Sequence, residues 1–111
     1  MATGYSISEL EDKIEYHFKD KSLIKQSLTH SSYTNEQKIR KNGDYERLEF
    51  LGDAVLELIS SEFLFKQHPD MTEGKLTKLR SSLVCEPALA QCAKEIDLGS
   101  YMLLGKGEEA T

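Results

Sequence analysis

The sequence predicts an all-α protein, and three observations carry that prediction. Apolar residues recur three and four positions apart through successive segments, the spacing of one helix face. The two prolines, Pro69 and Pro87, both fall between those segments. No stretch of useful length alternates apolar and polar residues as a half-buried strand does. The 111 residues suffice for one small domain and not for two. A chain of this size buries a modest fraction of its surface, so association with a second copy adds considerably to stability.

The first helix is expected from Ser8 to about Phe18, with Leu10, Ile14 and Phe18 on one face and Ser8 and Glu11 in a capping-box pattern. A short second helix covers about Ser22 to Leu28, with Leu23, Ile24, Ser27 and Leu28 inside. Thr29 to Asp44 is polar, contains Asn42-Gly43 and reads as a loop. Asp44 is placed to cap a long third helix from about Tyr45 to Gln67, which His68-Pro69-Asp70 ends. A fourth helix, about Thr72 to Val84, is expected to bury Leu76, Leu79 and Leu83. Pro87 suits the first turn of a fifth helix that ends near Ile96, before Gly99. The final GKGEEAT has no periodicity and reads as loop.

Composition narrows the function classes. Hydrophobic residues are 39% and charged residues 30%, the balance of an ordinary globular protein. No apolar run approaches the roughly 18 residues of a membrane span. The start, MATGYSISELED, lacks the basic and apolar regions of a secretory signal. Cys85 and Cys92 match no zinc spacing; they read as core packing in a reducing, cytoplasmic setting. The net charge of −5 opposes nucleic-acid binding if the acids are scattered, because phosphate contacts need Lys and Arg. Clustered acids change that reading, since a divalent metal that handles phosphate is itself held by carboxylates.

The acids do cluster, in the third helix. At about 100° per residue, Glu46, Glu49, Asp53 and Glu57 share an arc of roughly 80°. Leu48, Leu51, Val55, Leu58 and Ile59 fall on the opposite side and are expected to face the core. The bland reading is a solvated face. Two details favour a site. No Lys stands at i+4 from Glu46, Glu49 or Asp53 to relieve the repulsion of stacked carboxylates. Phe50 lies beside the acids and away from the apolar stripe, where a partner surface has to bury it.

Glu46-Arg47-Leu48-Glu49-Phe50-Leu51-Gly52-Asp53-Ala54-Val55-Leu56-Glu57-Leu58 resembles the signature helix of the ribonuclease III family. Leu28-Thr29-His30-Ser31-Ser32-Tyr33 before it agrees with that family. So do Glu73-Gly74-Lys75-Leu76-Thr77-Lys78-Leu79-Arg80-Ser81 and Leu104-Gly105-Lys106-Gly107-Glu108 after it. The resemblance implies an all-helical endonuclease domain that forms a homodimer. It implies hydrolysis of double-stranded RNA with Mg²⁺, or Mn²⁺ as a substitute, in the processing of rRNA and mRNA. By position in the motif, Glu49 resembles the direct metal ligand and Asp53 the acid that holds the metal and its waters. Glu46 resembles a third catalytic acid, Glu73 an acid at the cleft edge, and Phe50 the aromatic that enters a socket on the other protomer.

The resemblance also implies a later helix with a further Asp and Glu, and the chain ends at Thr111 before any such helix. Residues 1–111 are therefore expected to be the N-terminal part of a ribonuclease III catalytic domain, incomplete at its C-terminus and without the double-stranded-RNA-binding domain. The alternative is a non-catalytic RNA-binding or dimerisation module with the same fold, which has no reason to keep Glu46, Glu49 and Asp53 together. Elsewhere, His30 reads as a structural hydrogen-bonding residue, and His17 and His68 as surface residues without partners. Lys75, Lys78 and Arg80 suit either phosphate contact or a solvated face, and Glu108 and Glu109 a solvated loop.

Overall fold

The structure, a computed structural model, describes residues 6–37 and 43–106. It is helical: α1 (Ile7–Ile14), α2 (Lys21–Ser27), α3 (Ser31–Gln37), α4 (Glu46–Gln67), α5 (Glu73–Leu83) and α6 (Glu86–Glu95), followed by a 3₁₀ turn at Leu98–Tyr101. The one extended pairing among the described residues is an isolated parallel bridge between Thr29 and Leu103.

Helix α1 differs from its expected form at both ends. Ser6, not Ser8, caps it, its hydroxyl accepting from Glu9 N–H at 3.2 Å. The helix stops at Ile14, where Glu15 turns left-handed at φ 57° and the N–H of Tyr16 bonds back to the Glu11 carbonyl. Glu11 does not reach back to the helix start. Its side chain turns inward, accepts from Phe18 N–H at 2.7 Å and from Lys21 Nζ at 2.6 Å, and is 2% exposed. These bonds fold the 15–20 turn against the helix, so Phe18 packs on the core from a turn and not from a helix face. His17, expected to be without partners, lies 3.7 Å from Asp12 and 3.9 Å from Glu11.

Asp20 caps α2 through Ser22 N–H. The expected loop from Thr29 contains helix α3. Its sequence, SSYTNEQ, carries no apolar stripe, so periodicity cannot reveal it. The part of that loop at residues 38–42, and the tail from residue 107 with Glu108 and Glu109, lie outside the described residues.

The core lies between α1, α2 and the 3₁₀ turn: Leu10, Ile24, Leu28 and Tyr101 are buried, with Ile7, Phe18, Ile96, Leu98 and Met102 packed around them. Helix α4 runs out of this cluster for 22 residues, about 33 Å. Its expected core stripe is not buried in this chain. Leu51, Val55, Leu58 and Ile59 are all exposed, Leu58 by 70%, and the one buried residue of the helix is Leu64. On the helical wheel Leu64 falls within about 20° of Glu46, Asp53 and Glu57, so α5 packs on the acidic side of α4, beyond the acids. Arg80 of α5 fixes that packing, its guanidinium donating to Ser61 Oγ at 2.8 Å.

Leu76 and Leu79 of α5 are half-buried and Leu83 is exposed, against the expectation of a buried face. Cys85 and Cys92, expected in the core, are exposed free thiols. The radius of gyration is 16.4 Å. A compact chain of this length has about 13 Å. The excess belongs to a helical arm with little packed against its apolar side.

Candidate active site

The start of α4 is fixed by polar contacts from three directions. The N-cap position is Tyr45, which makes no side-chain cap, and not Asp44 as the sequence suggests; Asp44, one residue earlier, still reaches the helix start, its Oδ1 accepting from Glu46 N–H at 2.9 Å. Gln26 donates to the Asp44 carbonyl at 3.1 Å. Tyr45 N–H donates to the Thr29 carbonyl at 2.9 Å, tying the helix to the turn after α2. These contacts decide where the first acids of the helix point.

Glu46, Glu49 and Asp53 lie on one continuous helix and are exposed. Among the described residues none of the three is in an ion pair; Glu57 is, with its carboxylate 3.8 Å from Arg80 Nε. The arc of acids therefore splits into three uncommitted carboxylates near the helix start and a fourth held by α5. Glu49 reaches the rim of an open apolar cavity of about 420 Å³ whose walls include Leu10, Phe18, Ile24, Leu28 and Leu48. Asp53 and Glu57 line a second groove, about 510 Å³, with Phe50, Ala54, Val84 and Leu89. Phe50 is 83% exposed.

A divalent cation fits this donor set only in part. The oxygens of Glu49 and Asp53 are of the hard kind that Mg²⁺ prefers, and both are exposed about one helical turn apart. Among the described residues, however, no group of three or more His, Cys, Asp or Glu comes together tightly enough to enclose a metal. Glu73 does not join Glu49 and Asp53 within the chain. It opens α5 and lines a groove with Ser61, Leu64 and Phe65. Leu64 stands about 16 Å beyond Asp53 along the axis of α4.

Two other residues stand differently from their sequence reading. Arg80, a candidate for RNA phosphate, is engaged with Ser61 and Glu57; it follows Glu73 by seven residues, and that spacing is the signal that both share one face of α5. Lys75 and Lys78 are exposed. His30 has the hydrogen-bonding role expected of it: its Nδ1 lies 2.7 Å from Ser32 Oγ and accepts from Ser32 N–H at 3.0 Å.

Residues 20–111 match the model of the Ribonuclease-III-like family. The chain belongs to the ribonuclease III family. It is 54% identical over 103 residues to a Ribonuclease 3 of Caldanaerobacter subterraneus subsp. tengcongensis, covering 93% of this chain and 45% of that protein. It is also 54% identical over 103 residues to a Ribonuclease 3 of Bacillus velezensis, covering 93% and 41%. Among solved structures, the nuclease domain of ribonuclease III from Campylobacter jejuni superposes with a TM-score of 0.84 at 43% identity, covering 95% of this chain and 69% of that one. The family's nuclease domain is thus the fold of this chain, which spans under half the length of the curated relatives it matches. No described helix is long and apolar enough to cross a membrane.

Proposed function

We propose that residues 1–111 carry the first half of the catalytic site of a double-strand-specific endoribonuclease that works in RNA processing. The observation that carries this reading is the run of Glu46, Glu49 and Asp53, exposed together on α4 and, among the described residues, in no ion pair. Stacked carboxylates on one helix face repel by a few tenths of a kcal/mol per pair, and a nearby Lys or Arg would offset that cost. A non-catalytic module of the same fold has no use for three that stay open.

In this reading Glu49 and Asp53 would hold Mg²⁺, or Mn²⁺ in its place, and Glu46 would support catalysis as the third acid of the stripe. Bound there, the ion supplies a nucleophilic water near neutral pH and a sink for charge on the phosphoryl oxygen. The residues do the placing. Asp44 and the Thr29 carbonyl fix the first turn of α4, and Arg80 keeps Glu57 occupied. Glu73, at the far end of the helix pair, contributes at the edge of the cleft, where the duplex lies. Two acids on one helix leave most of the coordination sphere to water and substrate phosphate, and in this proposal the further Asp and Glu that the family resemblance implies would join them.

The working form in this proposal is a homodimer. Phe50 and the apolar stripe of α4 are exposed, and Gly52 stands mid-helix where an added Cβ would meet nothing within 4 Å. An interior helical glycine costs about 0.5–1 kcal/mol against Ala, so a surface from outside the chain is the natural reason for it. The solved Campylobacter jejuni relative is described with structural flexibility in a region involved in dimer formation. Exposed free thiols at Cys85 and Cys92 suit a reducing cytoplasm.

The test compares residues 1–111 with a chimera that continues into the unmatched part of the Caldanaerobacter relative, on one labelled duplex RNA. The chimera should cut with Mg²⁺ and the short chain poorly or not at all. Glu49→Ala in the chimera should abolish cutting while duplex binding persists. Equal rates for the short and long chains would show that the site is complete without further ligands. A chimera that binds duplex without cutting it would favour the non-catalytic module.

A further inference from the structure

His30 is the centre of a knot that joins three separated parts of the chain. Its backbone N–H donates to the Leu103 carbonyl at 2.9 Å, and Leu103 N–H donates to the Leu28 carbonyl at 2.8 Å. The two bonds clamp Thr29 from both sides. Thr29 is buried, its hydroxyl donates to the Lys25 carbonyl at 2.7 Å, and its own carbonyl receives the N–H of Tyr45 at the threshold of α4.

The side-chain half of the knot locks the clamp. Ser32 N–H donates to His30 Nδ1, which assigns the ring proton to Nε2. Gly105 N–H donates to Ser32 Oγ at 2.9 Å, which leaves the hydroxyl proton free to point at the same Nδ1, 2.7 Å away. The ring nitrogen thus braces Ser32, whose Oγ holds Gly105, alongside the two backbone bonds that hold Leu103. The approach is close: a Cβ on Gly105 would lie 2.9 Å from the Ser32 carbonyl oxygen. The His30 ring also meets the Tyr45 ring edge-on, with centroids 5.8 Å apart. Glu49 N–H bonds to the Tyr45 carbonyl at 2.7 Å, so whatever holds Tyr45 orients the first turn of the acidic helix.

We propose that His30 is a positioning residue for the acidic face of α4: through Nδ1 and Ser32 it holds the 103–105 segment on the turn that seats Tyr45, and so aims Glu46 and Glu49. The metal role of that face rests on the function proposed above. The seating of Tyr45 does not, and the two are measured separately.

The experiment uses residues 1–111 as parent, His30→Ala, His30→Asn and Ser32→Ala. Asn offers an amide oxygen close to where Nδ1 stands, so it can accept from Ser32 N–H; Ala cannot. Amide hydrogen exchange reads the seating directly. Exchange at Tyr45 and Glu49 should rise about tenfold in His30→Ala, with α5 amides unchanged, and His30→Asn should return most of it. Ser32→Ala, which keeps the ring, should loosen the same amides and serves if His30→Ala fails to fold. Mn²⁺ titration followed by electron paramagnetic resonance should show weaker binding in His30→Ala, restored in His30→Asn. Unchanged exchange at Tyr45, or no rescue by Asn, would overturn the proposal, as would loosened amides with parental Mn²⁺ affinity. If Glu49→Ala leaves Mn²⁺ binding unaltered, the metal reading of the face fails while the exchange arm still decides the role of His30.

Discussion

Leu28, at the end of α2, is 5% exposed, and Leu58, in the middle of α4, is 70% exposed. The side chain is the same and so is the amphipathic spacing around it. What differs is the company. Leu28 belongs to a cluster closed by Leu10, Ile24 and Tyr101, which come from three different segments. Leu58 shares its side of α4 with Leu51, Val55 and Ile59 and meets no such closure among the described residues. A helix pattern states that a face wants burial; only a partner delivers it. One half of this chain supplies its own partner, and the other half presents an apolar face and an acidic face on one helix.

The comparison is sharpest in the effect of truncation. In dilute residues 1–111, Leu28→Ala should cost about 2–5 kcal/mol of unfolding free energy, the range for a cavity in a closed core. Leu58→Ala should cost less than about 0.5 kcal/mol, as an exposed substitution does. Urea unfolding at low protein concentration measures both. A Leu58→Ala cost matching that of Leu28→Ala would mean that the face is covered even in the dilute chain.

Phe50 tests the same contrast through association. An aromatic 83% exposed beside the acids is a poor investment for a monomer. Phe50→Ala should weaken self-association by about 2 kcal/mol, roughly 30-fold in the dimer dissociation constant, and leave unfolding of the dilute chain unchanged. Sedimentation across a concentration series reads the shift. Superposable profiles for parent and variant would remove Phe50 from any interface.

The sequence is most legible where local chemistry acts alone. The bounds of α4, α5 and α6 fall within a residue or two of expectation, because Asp44, Pro69 and Pro87 act on the backbone next to them. The acids of α4 share a face because helix geometry requires it. Legibility ends where distant groups compete. Ser8 and Glu11 form a sound capping pair on paper, but Phe18 N–H and Lys21 draw Glu11 inward, and the cap passes to Ser6. Helix α3 has no apolar stripe to announce it. Which face of α4 is covered at its far end depends on α5 packing at Leu64, which no periodicity within α4 can foretell. For the candidate site, spacing puts Glu46, Glu49 and Asp53 on one exposed helix, as the structure has them, yet it cannot tell that Glu73 lies at the opposite end of the helix pair.

Glu11 gives the finest test, because it probes a polar contact inside the self-contained half. The Lys21 ammonium bonded to its carboxylate, and then the Phe18 N–H, hold its carboxyl below the ordinary value. The folded protein thus takes up this proton less readily than the unfolded chain does. Its stabilising contribution is complete above the ordinary carboxylate range and is lost as pH falls through the lower, folded value. Glu11→Gln keeps an oxygen for Phe18 N–H and loses the charge that faces Lys21, so it has no proton to gain. At neutral pH the variant should melt below the parent, by less than Leu28→Ala does. The gap should narrow steadily as the solution is made acid, because the parent loses what the variant never had. Thermal melts of both proteins from neutral to acid pH decide the matter. Parallel melting profiles would mean that the Lys21–Glu11 contact adds nothing to the fold, and that the apolar cluster alone closes the N-terminal half.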